Sequence, residues 1–192
     1  MADLLIRRRE MVIPFQQKEW DYEWDASKGL PNNNGFTKAT SGGSVSLAST
    51  YLQFNGTSSS YTSYVWPTDY LTGVIEAELY SSSQAQMRLY FGNGTYGVGI
   101  RLQTSSNYKG VYWGTSVSTK LVSASADTKY KVRLVLKGDV ADVYVNDVIK
   151  ATDKSVTDLT NCAHITVWGG GSGSATQKSR LYSLKMKFGR TS

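Results

Sequence analysis

From Trp20 onward, apolar and polar residues alternate with a period of two through most of the chain, and clusters of Gly, Asn and Ser break the alternation at short intervals. A period of two sends successive side chains to opposite faces of an extended strand, so the pattern predicts many short, half-buried strands. Fourteen are expected: Trp20 to Trp24, Ser44 to Ala48, Tyr51 to Phe54, Tyr61 to Val65, Val74 to Tyr80, Met87 to Phe91, Tyr96 to Gln103, Lys109 to Trp113, Thr119 to Val122, Tyr130 to Lys137, Val140 to Asn146, Val148 to Ala151, His164 to Trp168 and Ser179 to Phe188. Strands of this number and length fit two stacked antiparallel sheets. No amphipathic helix is expected after residue 20.

The interruptions are turn chemistry. Gly138-Asp139 and Asn146-Asp147 each sit between two alternating runs and predict consecutive antiparallel hairpins. Asn55-Gly56 and Phe91-Gly92-Asn93-Gly94-Thr95 are further turn signals, and Gly169 to Ser174 reads as a flexible loop.

Composition agrees with this reading and narrows the chemistry. The 192 residues fit one domain with room for little more than an arm. Only 19% are charged, with 13 Tyr, 5 Trp and abundant Ser, Thr and Gly, which suits pleated, half-buried surfaces. One Cys excludes an intrachain disulfide, and one His excludes a His-pair metal site. No cofactor or metal is expected. The formal net charge is +6, and residues 101–192 carry fourteen basic against six acidic side chains. Those cations alternate with apolar residues, as in Lys129-Tyr130-Lys131-Val132-Arg133-Leu134, which is a strand's solvent face and not a nucleic-acid stripe.

Residues 1–19 stand apart from residues 20–190, lacking alternation. Leu4, Leu5 and Ile6 precede Arg7, Arg8 and Arg9, the reverse of a secretory signal, and no run is long enough to span a membrane. Synthesis in the cytoplasm and retention there until lysis are therefore expected. The segment reads either as a packed edge or as an arm, with Leu4 to Ile6 as apolar anchors and Arg7 to Arg9 pairing with a partner's carboxylates.

The segment Lys129 to Val148, two alternating runs joined by Gly138-Asp139 and closed by Tyr144-Val145-Asn146-Asp147, resembles the central hairpin of concanavalin A-like domains, the laminin-G and laminarinase-like jelly rolls. Gly73 to Leu79, Leu52-Gln53-Phe54-Asn55-Gly56 and the closing run Ser179 to Met186 are similar to further strands of that family. The resemblance covers residues 20 to 188 and implies an all-β, two-sheet antiparallel jelly-roll sandwich with an N-terminal arm. The leader, followed by Trp-x-Tyr and a jelly roll, also resembles small virion-associated proteins of tailed bacteriophages, which implies a head fibre, a decoration protein or a tail-tip adhesin, made in the host cytoplasm and with the virion as the final location.

Laminarinase-like relatives use a Glu-x-Asp-x-x-Glu strand, which is absent here. Its nearest counterpart is Glu76-Ala77-Glu78, whose carboxylates share one strand face roughly 7 Å apart, a spacing compatible with an inverting glycosidase. Ile75, Ala77 and Leu79 fill the other face, so a polar solvent face is the simpler reading. Cys162 and His164 share a face without an oxyanion-hole signature and read as strand residues. Asp139, Asp142, Asn146 and Asp147 cluster without the spacing of a calcium loop.

Carbohydrate is the sharpest ligand expectation, because sugar C–H faces stack on aromatic rings and sugar hydroxyls need Asn, Asp, Gln or Ser partners. Tyr64, Trp66, Tyr112, Trp113 and Trp168 form the expected platform. The sequence thus points to a non-enzymatic virion protein whose lectin-like domain touches host-surface glycans. Its expected partners are virion proteins, reached through the arm, and further copies of itself, with no nucleic acid and no membrane insertion. The alternatives are a carbohydrate-binding module or glycoside hydrolase-like domain of a bacterial glycan-degrading system, and a purely structural capsid protein.

Overall fold

In the computed structural model, residues 19–41, 43–55, 61–67, 72–92, 97–114, 119–156, 164–171 and 177–189 are described. Among them are fifteen strands: β1 (Tyr22–Asp25), β2 (Thr37–Ser41), β3 (Ser44–Leu47), β4 (Leu52–Asn55), β5 (Tyr61–Pro67), β6 (Thr72–Ser81), β7 (Ala85–Gly92), β8 (Gly97–Ser105), β9 (Tyr108–Trp113), β10 (Thr119–Val122), β11 (Thr128–Lys137), β12 (Val140–Val145), β13 (Val148–Ser155), β14 (His164–Gly171) and β15 (Lys178–Phe188). Two short 3-10 turns, Ala26–Lys28 and Pro31–Asn34, follow β1. Residues 1–18, which include Leu4 to Arg9, lie outside the described residues.

Both predicted hairpins form. Gly138, at φ 81°, supplies the left-handed backbone between β11 and β12, and Asn146 and Asp147, at φ 50° and 62°, turn β12 into β13. Two successive positive φ values match the right-handed twist of the flanking strands. Asn146 also extends the ladder with its side chain: Lys131 N donates to Asn146 Oδ1 at 3.0 Å, and Asn146 N donates to Lys131 O at 2.8 Å.

The strands stack as two antiparallel sheets, a jelly-roll sandwich. The first runs β13-β12-β11-β6-β15-β4-β3, with β1 also on β15, and the second runs β10-β9-β8-β7-β14-β5-β2. Alternation decides what lies between them. Ile75, Ala77 and Leu79 of β6 stand opposite Leu134, Val132 and Tyr130 of β11, all buried, and Leu89, Ile100, Leu102, Val111, Ile165 and Val167 face them from the second sheet. The edge strand β2 was not expected from the sequence: Thr-Lys-Ala-Thr-Ser offers no large apolar residue to alternate, and pairing with β5 alone defines it.

One irregularity in β15 organises the first sheet. Leu181 stands opposite Leu79 and Ser183 opposite Glu78, so Tyr182 is an extra residue and the phase of alternation shifts there. Ser179 and Leu181 point inward before the bulge, and Leu184 and Met186 after it. The same bulge divides the strand's other edge, β4 pairing with Lys178–Leu181 and β1 with Ser183–Met186.

The two ends of the interior differ chemically. At one, Tyr22, Phe36, Tyr64 and Phe54 form a chain of rings with successive centroids 5.4, 6.5 and 6.1 Å apart, and the Trp24 Nε1–H donates to Gly29 O at 2.9 Å. At the other, hydroxyls join the sheets: Ser81 Oγ lies 3.0 Å from Thr104 Oγ1, and Ser179 Oγ donates to Gly170 O at 3.1 Å. These buried hydroxyls are thereby satisfied.

Candidate functional site

The sandwich has two outward faces, and their charges are arranged differently. On the first sheet, lysines and carboxylates pair: Lys129 with Glu78 at 3.2 Å, Lys131 with Glu76 at 3.3 Å and with Asp147 at 3.1 Å, Lys137 with Asp142 at 2.6 Å, and Lys185 with Glu23 at 2.7 Å. Asp142 holds the Lys137 ammonium above the usual lysine range, and Lys137 holds the Asp142 carboxyl below the usual carboxylate range. Arg180 is stacked between Tyr51 and Tyr80, 4.4 and 4.6 Å from their centroids, and Arg133 lies 4.3 Å from the Tyr144 ring centre. Glu76 and Glu78 are thus engaged by lysines on this solvent face, as the polar-face reading expects. Asp142 and Asp147 are likewise tied to lysines. Cys162 and the side chain of His164 lie outside the described residues.

The outer face of the second sheet is different. Register places Lys120, Tyr112, Arg101, Arg88, Trp168 and Ser63 directly opposite one another, in that order, across β10, β9, β8, β7, β14 and β5. Side chains directly opposite each other in a sheet share a face, so these form one transverse row. From Tyr112 to Trp168 the row covers three strand spacings, roughly 14 Å. Beside it lie Gln103 and Gln86, opposite each other, and on its other side Gly99, Tyr90, Thr166 and Val65, successively opposite one another. Gly99 is required where it stands, since a Cβ would come within 2.1 Å of Leu89 O.

Arg88 and Arg101 are the centre of this face. Nη2 of each donates to Gln86 Oε1, at 2.9 Å from Arg88 and 2.6 Å from Arg101, so one amide oxygen bridges two cations. The Arg88 guanidinium lies 4.2 Å from the Trp168 ring centroid and 5.5 Å from that of Tyr90, a stacked cation–π arrangement. Among the described residues no carboxylate pairs with either arginine. Burial lowers the Arg101 pKa to about 10, with the like charge of Arg88 as the next cause. Burial also raises the Tyr90 phenol, against the pull of both arginines. Four side-chain atoms here are buried without a hydrogen-bond partner: Arg88 Nε, Arg101 Nε, Gln103 Oε1 and Thr166 Oγ1.

The structure divides the expected aromatic platform. Tyr112 and Trp168 are brought together on this face, Tyr112 largely covered at 4% exposure and Trp168 half-buried. Tyr64 and Trp113 point the other way, 1% and 6% exposed in the core, because they fall on the inward phase of β5 and β9. As core residues they do not form part of a surface platform. Trp66 stands opposite Ile165 in register, and its side chain lies outside the described residues. The sequence reading missed Gln86, Arg88, Tyr90, Arg101 and Gln103. The available signal was their spacing, Gln-x-Arg-x-Tyr and Arg-x-Gln, which puts each set on one strand face. That the two sets meet depends on the β7–β8 register.

No protein-family model and no curated protein matches the chain. Solved structures do. A sialidase is similar at TM-score 0.69 and 11% identity over 87% of this chain, which corresponds to only 18% of the sialidase's length. The carbohydrate recognition domain of Emp46p, in a metal-free form, is similar at TM-score 0.63 and 11% identity, covering 90% of this chain and 99% of that domain. The carbohydrate binding module CBM66 from Bacillus subtilis gives TM-score 0.56 and 11% identity over 80% and 97% of the two chains. At these identities the likeness shows the fold, a jelly-roll sandwich of the kind found in lectin, carbohydrate-binding and sialidase structures.

Proposed function

We propose that this protein is a non-enzymatic, lectin-like carbohydrate-binding protein whose site is the outer face of the second sheet. The observation that carries the proposal is the transverse row Tyr112–Arg101–Arg88–Trp168 with Gln86 and Gln103 beside it. It sets the half-buried Trp168 ring, a surface for sugar C–H faces, beside amide and guanidinium groups for hydroxyls, while the covered Tyr112 packs the other end of the row. Fold likeness to the Emp46p domain and to CBM66 supports the reading. The non-enzymatic part is supported by Glu76 and Glu78, which lie on the opposite sheet's outer face and are held by lysines. The test is a broad glycan array together with whole-cell binding. Binding that falls when Trp168→Ala is introduced, with folding intact, is expected; blank results in both would overturn the proposal.

The finer reading places the domain on a phage particle. Residues 1–19 would attach it through Leu4 to Ile6 and Arg7 to Arg9, and several copies would together give a weak site useful avidity. Its support is the leader sequence. Co-sedimentation with particles by the whole chain, lost on removal of residues 1–18, is the expected result; equal behaviour of both forms would overturn it.

A further inference from the structure

We propose that the ligand of this face is an acidic glycan, whose carboxylate or sulfate group is held between Arg88 and Arg101. The inference deepens the carbohydrate-binding reading and rests on it. Two arginines directly opposite each other on neighbouring strands repel, and a sheet ordinarily avoids such a pair or places a carboxylate beside it. The first sheet does so: its lysines at residues 129, 131, 137 and 185 each meet a carboxylate. Arg88 and Arg101 share only the neutral oxygen of Gln86. The pair therefore carries a positive charge that no carboxylate among the described residues balances, on a partly desolvated floor beside the half-buried Trp168 ring. A planar oxyanion accepting two parallel N–H bonds is the group a guanidinium edge fits.

The neighbours favour a sugar as the bearer of that charge. Trp168 and Tyr90 flank Arg88, and the amides of Gln86 and Gln103 stand opposite each other beside the arginine pair, groups suited to sugar hydroxyls. Lys120 at the end of the row, exposed and opposite Tyr112, would meet a second charge on a longer chain. A nucleic-acid backbone would supply anions too, but the described cations on this face make a single short row and not a phosphate-tracking stripe.

The experiment is a glycan array holding neutral, carboxylated and sulfated members with duplex DNA spots. It is probed with the whole chain and with Arg88→Met, Arg101→Met, Arg88→Lys and, as a control on the opposite sheet, Arg133→Met. Binding at least about tenfold stronger to acidic than to neutral members is expected, as is a similar loss in both Met variants, the effect of removing one charge-assisted contact. Arg133→Met should bind normally, and Arg88→Lys should not restore affinity, because an ammonium lacks the planar fork. The carboxylated and sulfated arms separate the two sources of negative charge. Circular dichroism and thermal melts show whether each variant is folded, and an unfolded Met variant is replaced by the Lys variant at the same position, Arg88→Lys or Arg101→Lys. Binding to neutral glycans alone would overturn the acidic ligand while leaving carbohydrate binding intact. Binding to nothing would overturn both, and equal retention of duplex DNA and acidic glycans would mark a generic polyanion surface and overturn the proposal.

Discussion

The ring of Phe54 in the first sheet occupies the space that a side chain at Gly169 in the second would need. A Cβ added at residue 169 would lie 2.6 Å from Phe54 Cγ and 2.7 Å from its Cβ. Phe54 is fully buried and touches Tyr64 edge-on, so the ring has little freedom to withdraw. Gly169→Ala should therefore destabilise the fold by about 1–3 kcal/mol through overpacking. Urea denaturation reads this directly, and adding Phe54→Leu should recover part of the loss, since the pair is in contact.

Tyr64 gives the fold a weakness at high pH. Burial pushes its phenol up to about 12, whereas in the unfolded chain it titrates near about 10. Between those values the unfolded state releases a proton that the folded state keeps, so stability falls as pH rises, by up to about 1.4 kcal/mol per pH unit for each such tyrosine. Tyr22, raised further by burial, acts in the same direction. The Tyr64 hydroxyl is buried without a hydrogen-bond partner, so Tyr64→Phe should leave stability at neutral pH equal or higher and move alkaline unfolding to higher pH. Melts recorded in steps from about pH 8 to 12 would detect this; an unmoved alkaline limb would show that Tyr64 is not responsible.

Arg101 is held in a setting that disfavours its charge, so its removal should stabilise the protein. Its cross-strand neighbour is Arg88, and burial is the main cause of its lowered pKa. Arg101→Met keeps the stem that covers the sheet and removes the repulsion, a gain of a few tenths to about 1 kcal/mol. The guanidinium stays protonated through the neutral range, so the gain should be constant there. Thermal denaturation of the two proteins in low salt is the measurement. A fall in stability would mean that the bridge through Gln86 outweighs the repulsion.

Asn146 does two jobs that no common substitute combines. Its backbone sits at φ 50°, and its side-chain oxygen accepts from Lys131 N at 3.0 Å. Asn146→Ala should cost about 1–2 kcal/mol, from left-handed strain and the lost bond. Asn146→Gly should recover the strain part alone. Hydrogen exchange at Lys131 distinguishes the two contributions.

Much of the fold is legible in the chain because a half-buried sheet writes itself as alternation. The runs Gly73 to Leu79 and Lys129 to Asn146 locate three neighbouring strands and their turns, since each inward position is apolar and each turn uses residues that tolerate a positive φ. Local chemistry also marks Glu76 and Glu78 as a solvent face. What alternation does not carry is phase relative to a partner. Tyr112 and Trp113 are adjacent and both aromatic, and only the position of β9 between β8 and β10 sends the first outward and the second into the core.

The bulge at Tyr182 shows the same limit within one strand. Leu181 and Leu184 break a strict period of two, and the extra residue that lets both face inward becomes visible only against β6. The site is the extreme case. By itself the sequence determined many short, half-buried strands with polar solvent faces, enough for two antiparallel sheets, because side-chain direction along a strand is a local property. The tertiary structure alone decided that Arg88, Arg101, Trp168 and Tyr112 form one row, because strand order and register bring together residues from four strands through long-range contacts that no local pattern encodes.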